Sequence, residues 1–451
     1  MISSYGSAFW VRFIPVQLKR MIFRSKDLRN VFSNTYWLFA DYGIRLFVGF
    51  FVFITAARVF GPEQFGILNL ALSFSMLFLP IAGLGLDQII VRDFVREPGK
   101  EMEIAATSLI MRLVSGSISF IISCLGILII RPHDNIMFLL VGLFSTLLIF
   151  QSFDIFDYWF QSKVQSRYVV IVKTIIFICS SILKIAALFI FSSLFIYVVI
   201  CAIESGLYAM GLCILYVRKR KGFHFQFSQT RAFCMIKESY PLLLSGLFVI
   251  LSMRIGQIFI GQMINEREVG IYSVATRISE TTYIIIMAIT ASVFPIFTKI
   301  RRRSSEQYYR FLQKFFDLSG GTALGIACIV TFASGFIVRI MFGTQYMDSV
   351  RILQIHIWST IPIFLSTAQG IWNINEGYTQ INLYQAFINA FLTVLLLYIL
   401  LPHYGIISAA VISVLSPIIS IIVVNFFAKE ARKILYMQLK PFIFIRYLSW
   451  I

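Results

Sequence analysis

Twelve apolar runs, each long enough to cross a bilayer and joined by connections of a few residues, take up almost the whole of this chain. They lie near residues 34–57, 65–91, 104–130, 136–160, 168–191 and 194–217, then 238–264, 268–297, 311–338, 350–373, 380–401 and 405–428. A helix needs about 20 predominantly apolar residues to cross about 30 Å of hydrocarbon. Lipid offers a bare backbone no hydrogen-bond partner, so runs of this length fold as helices. The expected fold class is an all-α integral membrane protein of about 12 transmembrane helices. Composition agrees: 59% of residues are hydrophobic and 13% charged, far from the quarter-charged makeup of soluble domains. Connections such as Arg131-Pro132-His133-Asp134 are too short to hold a catalytic domain outside the membrane.

A net charge of +18 would suggest nucleic acid in a soluble chain, but here the basic residues fall in short clusters beside the spans. With the N-terminus placed inside, 28 of the 39 Lys and Arg lie in cytoplasmic segments, counting Lys314 at the start of the ninth span with them. Five lie outside (Arg58, Arg131, Arg267, Arg339 and Arg351), and six fall within spans. Such a bias sets orientation. It predicts a multi-pass, inner-membrane-type protein with both termini cytoplasmic and no nucleic-acid partner. Residues 1–33 are basic and interrupted by Pro15, and read as a cytoplasmic lead-in rather than a cleaved signal. The six cysteines lack paired metal-site spacing and read as small buried hydrophobes; no metal is expected.

The longest polar break, Arg218 to Lys237, divides the spans six and six. An even number per half implies parallel repeats related by a pseudo-two-fold along the membrane normal. A short echo supports this, since Arg58 to Leu68 and Gln262 to Tyr272 share a Glu and a Gly-Ile pair. The expected domains are an N-terminal bundle (34–220), a cytoplasmic linker (221–237), a C-terminal bundle (238–436) and an interfacial C-terminal segment (437–451).

Asp41, Arg45, Asp87, Arg112, Asp154, Asp157, Lys173, Lys184, Glu204, Glu238, Arg254, Arg277 and Glu280 all fall in or near spans. Each would cost roughly 2.5–3.5 kcal/mol facing lipid at the bilayer centre, so a polar interior is required. Asp41 and Arg45 have i, i+4 spacing, and Arg277 and Glu280 have i, i+3. Both spacings fit a structural ion pair or an anion-contacting Arg oriented by its acid. Lys173 and Lys184 sit about three turns, roughly 16 Å, apart on one helix face, forming a cationic stripe unless Lys184 snorkels outward. Arg254 has no charged neighbour on its own helix and needs a partner from another. The candidate cationic contacts are Arg45, Lys173, Arg254 and Arg277, with Asp41, Asp87 and Glu280 as ion-coupling or ion-pair candidates. No cofactor signature appears; the acids are candidates for H+ or Na+ coupling.

Asn34, Trp37-Leu38, Asp41, Arg45 and Gly61-Pro62-Glu63-Gln64-Phe65-Gly66 begin a series of short motifs. It continues through Gly83-Leu84-Gly85-Leu86-Asp87, Val269-Gly270-Ile271-Tyr272-Ser273, Phe342-Gly343-Thr344-Gln345-Tyr346 and His403-Tyr404-Gly405-Ile406. In order and spacing these resemble the polysaccharide-export flippases, the O-antigen and capsule repeat-unit translocases of the multidrug/oligosaccharidyl-lipid/polysaccharide (MOP) superfamily. The resemblance implies two six-helix bundles around a central cavity that opens alternately to each side. It also implies an undecaprenyl-diphosphate-linked oligosaccharide as cargo, with membrane lipid, a polysaccharide polymerase and a chain-length regulator as partners. One departure stands out: where such proteins often carry an acid in the seventh span, this chain has Gly256. The rival readings are a multidrug-type antiporter, a peptidoglycan-precursor flippase, and a membrane-embedded polymerase or glycosyltransferase. An enzyme is not expected, because no phosphate loop, metal cluster or catalytic triad pattern is present.

Overall fold

The computed structural model describes residues 26–220 and 226–442, so the sequence-based expectations for 1–25, 221–225 and 443–451 lie outside the described residues. Among the described residues the chain is helical, without strands. The first half comprises α1 (Lys26–Met76), α2 (Leu79–Gly83), α3 (Asp87–Arg96), α4 (Glu101–Ile130), α5 (Asn135–Phe150), α6 (Asp154–Ser162), α7 (Ser166–Phe191) and α8 (Leu194–Arg220). The second comprises α9 (Gln229–Met263), α10 (Glu266–Arg303), α11 (Ser305–Phe342), α12 (Ser349–His356), α13 (Thr360–Glu376), α14 (Thr379–Tyr404), α15 (Ile406–Phe427) and α16 (Arg432–Leu439).

Ten described segments are long and apolar enough to cross a membrane. Two local features reconcile that number with the expected twelve crossings. The first segment, Ala40–Arg96, has 57 residues and would extend about 85 Å as one straight helix, far beyond a single crossing. It bends at Gly61, whose φ of 70° and ψ of 173° break the helix, and Pro62 starts the second arm with a φ already fixed for a helix. Further on, α12 and α13 are separated by the tight turn Ile357–Ser359, so neither is long enough alone. Together they form one broken span. The protein is therefore an all-α, multi-pass membrane protein of the two-bundle kind.

Chain contacts define two units. One holds the described residues up to Thr55 with Ile81–Gly126 and Gly142–Tyr240; the other holds Ala56–Pro80, Ile127–Val141 and the described residues from Pro241 onward. In the first unit, Leu86, Ile90, Phe94, Phe156, Phe160 and Tyr216 form part of a fully enclosed core. Beside it, an acid–base network binds the span ends. Glu101 accepts from Trp159 Nε1 at 2.8 Å and pairs with Lys163 and Arg220. Arg231 pairs with Glu97 and Glu103, both at 2.8 Å. The Arg231 hydrogen bond holds the Glu97 carboxyl down to about 2. The contribution of this pair is therefore complete above the ordinary carboxylate range and is lost only as pH falls through about 2.

The second unit includes the ends of two first-half hairpins, and three contacts fix them there. Arg58 Nε donates to the Met341 carbonyl at 2.7 Å, and the same guanidinium reaches the Ile340 carbonyl, satisfying exposed acceptors at the C-terminus of α11. Arg131 pairs with Glu266 at 2.6 Å and donates to the Gly261 carbonyl near the end of α9. Between them, the backbones cross at Gly66 and Gly270. A Cβ on Gly66 would lie 1.7 Å from the Glu266 carbonyl oxygen, and one on Gly270 would lie 2.0 Å from that of Pro62. These are the glycines of the echoed Gly-Ile pair, so the repeated motif meets its own counterpart. At the other end of this unit, Gln438 of α16 joins Gln369, Gln385 and Asn425 in a buried amide cluster. The C-terminal segment is thus anchored at Gln438 rather than resting wholly at an interface.

Replacing Gly66 or Gly270 by Leu is expected to destabilise the protein by about 1–3 kcal/mol or more, since only backbone movement makes room. Gly142→Leu, where a Cβ meets nothing within 4 Å, is the control. Thermal unfolding in detergent checks this; equal melting temperatures for all three variants would contradict the close crossing.

Candidate functional site

Helices α1, α7 and α8 of the first unit bring their intramembrane polar groups into one connected chain. Arg45 Nε donates to Asp41 Oδ2 at 2.9 Å, one helical turn away, and Thr174 Oγ1 donates to Asp41 Oδ1 at 2.8 Å. Arg45 Nη1 donates to the Tyr208 hydroxyl at 3.1 Å, and that hydroxyl donates to Glu204 Oε1 at 2.8 Å. Lys184 pairs with Glu204 Oε2 at the far end. The chain holds two acids and two cations and is neutral. The Arg45 guanidinium also lies over the rings of Phe177 and Tyr208, 5.0 and 5.4 Å from their centroids. Its Nη2 is buried without a hydrogen-bond partner.

Lys173, one residue before Thr174, points to a different set of partners. It meets Asp154 at 3.0 Å and Asp157 at 2.9 Å, both on α6. One lysine between two carboxylates leaves an excess acid. Lys173 and Lys184 therefore do not act as a continuous cationic stripe: each is neutralised by acids from a different neighbouring helix. Lys184 does not snorkel either, because its ammonium is enclosed with Glu204. Asp87, at the start of α3, accepts from Tyr158 at 2.8 Å and pairs with the enclosed Arg112 at 3.1 Å.

In the second unit, Arg254 of α9 meets Glu280 of α10 at 3.5 Å. This is the inter-helix partner that Arg254 needs. Arg277 itself is exposed. Gly256 leaves room for Tyr272: a Cβ there would lie 3.4 Å from the Tyr272 hydroxyl. Tyr272 in turn meets the buried His356 edge to face at 6.0 Å, while Tyr283 shares a 2.7 Å hydrogen bond with Ser359.

The candidate residues are thus distributed among several ion pairs. Asp41 joins Arg45, Lys173 joins Asp154 and Asp157, and Arg254 joins Glu280. Sequence reasoning named Glu204 only among the acids open to H+ or Na+ and Arg112 only as a membrane charge, and passed over Tyr208 and Thr174. The i, i+4 spacing of Glu204 and Tyr208 was an available signal, whereas nothing local marks Thr174. Among the described residues no group of three or more His, Cys, Asp or Glu is placed to hold a metal.

The pairing has an energetic consequence. Glu204→Gln leaves the Lys184 charge enclosed and uncompensated, which is expected to cost about 3–5 kcal/mol. Lys184→Met combined with Glu204→Leu should recover most of that loss. Melting temperatures of the single and double variants check this, and a harmless single variant would contradict an enclosed Lys184.

Residues 31–301 match the family model described as Polysaccharide biosynthesis protein, which covers more than half of the chain. No curated protein matches. Among solved structures, the chain is similar to the lipid II flippase MurJ in an inward closed conformation, with a TM-score of 0.69, 15% identity and 93% of each chain covered. It is also similar to the MATE multidrug transporter DinF-BH in complex with R6G, with a TM-score of 0.65 and 16% identity over 90% of this chain and 96% of that one. An inward-facing multidrug resistance MATE family transporter of the MOP superfamily gives a TM-score of 0.61 and 14% identity over 88% and 95%. At these identities the likeness speaks for the fold. The family match and the shared helical architecture agree that this chain belongs to the polysaccharide biosynthesis protein family and shares the fold of these flippase and transporter structures.

Proposed function

We propose that this protein is a flippase that moves a lipid-linked oligosaccharide across a bacterial inner membrane, from the cytoplasmic to the outer leaflet, by alternating access. The cargo is an undecaprenyl-diphosphate-linked repeat unit for a surface polysaccharide such as O-antigen, capsule or exopolysaccharide. Both termini are cytoplasmic in this reading, and a polysaccharide polymerase and a chain-length regulator act on the product. Family membership supports the pathway, and the fold likeness to a lipid II flippase supports the mode of transport.

The observation that carries the reading is Arg45. Its guanidinium is oriented by Asp41, flanked by Phe177 and Tyr208, and retains a buried N–H with no partner. A diphosphate oxygen supplies the missing acceptor, and aromatic rings suit the apolar faces of sugars. Arg254 has the same feature in the second unit: it is partnered at Nη1 by Glu280, with Nε buried and unpartnered. Arg277, exposed on the neighbouring α10, is the third anion contact in this reading. The role of Lys173 changes. Held between two acids, it has the wrong net charge for a diphosphate, and the Asp154–Lys173–Asp157 group joins Asp41, Asp87 and Glu280 as a candidate for H+ or Na+ coupling. The same excess acid, with the likeness to MATE transporters, is what favours the second reading, a small-molecule antiporter.

Deleting the gene should cause lipid-linked repeat units to accumulate on the inner leaflet while surface polysaccharide disappears, with drug tolerance unchanged. Complementation with Arg45→Ala or Arg254→Ala should restore about a tenth or less of export, the loss expected for one charge-assisted contact of about 1.5–3 kcal/mol. Intact surface glycan with a loss of drug tolerance would favour the antiporter instead.

A further inference from the structure

A cleft of about 1130 Å³ lies between the first turns of α11 and the C-terminal helix α16, away from the ion pairs described above. Four of its lining residues are basic (Arg310, Lys314, Lys433 and Lys440) and two are acidic, Glu306 and Asp317. Among the described residues the cleft contains one ion pair, between Glu306 and Arg310, and both of those side chains are largely exposed. The other three cations therefore face a single carboxylate. Two of them are held by rings rather than by acids. Lys433 lies 3.6 Å from the centroid of Tyr309, and Lys440 lies 4.7 Å from that of Tyr436.

Gln313 adds a second requirement. Its Nε2 donates to Asp317 Oδ1 at 2.8 Å and to the Met437 carbonyl at 3.0 Å. Both partners are acceptors, so the amide cannot be turned around, and Oε1 is left buried without a donor. The cleft thus offers cations to an anion and an unfilled acceptor to a hydroxyl. An anionic group bearing a hydroxyl satisfies both.

The position of the cleft indicates where that group comes from. Helix α11 has 38 residues, about 57 Å of helix against about 30 Å of hydrocarbon, so its first turns project beyond the lipid core. Arg301, Arg302 and Arg303 at the end of α10 immediately precede it, as expected for the cytoplasmic boundary. One turn beyond Lys314, Leu318 begins an exposed apolar stripe that continues through Ile329, Phe332 and Phe336, with Phe332 at 91% exposure. This stripe can carry acyl chains away from the cleft.

We propose that this cleft binds the headgroup of an anionic glycerophospholipid of the phosphatidylglycerol class. Its phosphate sits among Lys314, Lys433 and Lys440, its headgroup hydroxyl donates to Gln313 Oε1, and its acyl chains lie along α11. The bound lipid fixes α16 to the base of α11, and it is distinct from the transported cargo. The test is native mass spectrometry of the full-length protein titrated with dioleoyl phosphatidylglycerol or dioleoyl phosphatidylcholine. One saturable site with about 10-fold preference for phosphatidylglycerol is expected. Lys314→Gln with Lys433→Gln should abolish the preference, Lys433→Arg should keep it, and Arg302→Gln with Arg303→Gln, an equal loss of charge outside the cleft, should leave it unchanged. Equal retention of the two lipids would overturn the proposal, as would an equal effect of the two double variants. Glycerol 3-phosphate competing as well as phosphatidylglycerol would show a soluble phosphate site and overturn the lipid assignment.

Discussion

Charges buried in hydrocarbon dictate how these helices pair, because lipid leaves an ionised side chain no partner but the protein itself. A chain that places Arg, Lys, Asp and Glu within its spans must compensate them, because an enclosed charge without a partner costs more than a whole domain's marginal stability can absorb several times over. The compensation found here is local to each unit. In the first, Thr174, Asp41, Arg45, Tyr208, Glu204 and Lys184 form one line of hydrogen bonds across three helices. In the second, Arg254 and Glu280 link two helices. Compensation is incomplete in one respect, since Arg45, Arg112 and Arg254 each retain a buried N–H without an acceptor. In the proposed function, the residual donors of Arg45 and Arg254 are where an anionic cargo gains the most.

A second constraint shapes the ends of the first-half hairpins. Gly66 and Gly270 bring two backbones closer than any side chain allows, and Arg58 and Arg131 donate to carbonyls near the ends of α11 and α9. Glycine contact and arginine capping are both short-range and directional.

Much of this was legible in the sequence. Span positions follow from run length, and the Asp41–Arg45 pair from i, i+4 spacing. The Gly-Ile echo marked the two repeats, although nothing in a linear pattern could show that the echoed glycines touch. Partner choice between helices was not legible. Glu280 reaches across to Arg254 on the neighbouring helix, and Lys173 and Lys184 share a helix face yet are neutralised by acids from α6 and α8. Such contacts depend on how helices are rotated against one another, which spacing along a single helix does not encode. The broken span at α12 and α13 was likewise not recognised, although His356, Ser359, Thr360 and Pro362 interrupt its apolar run around Ile357–Ser359.

In the proposed function, Arg45 uses its spare donor on the diphosphate of a lipid-linked sugar. The most direct measurement reconstitutes the purified protein in vesicles carrying a fluorescent polyprenyl-diphosphate oligosaccharide and follows its loss from one leaflet by quencher accessibility. Protein-dependent movement is expected, slowing about tenfold or more with Arg45→Ala and absent for a lipid that carries the sugar without phosphate. Movement at the same rate with either lipid, or undiminished by Arg45→Ala, would contradict it.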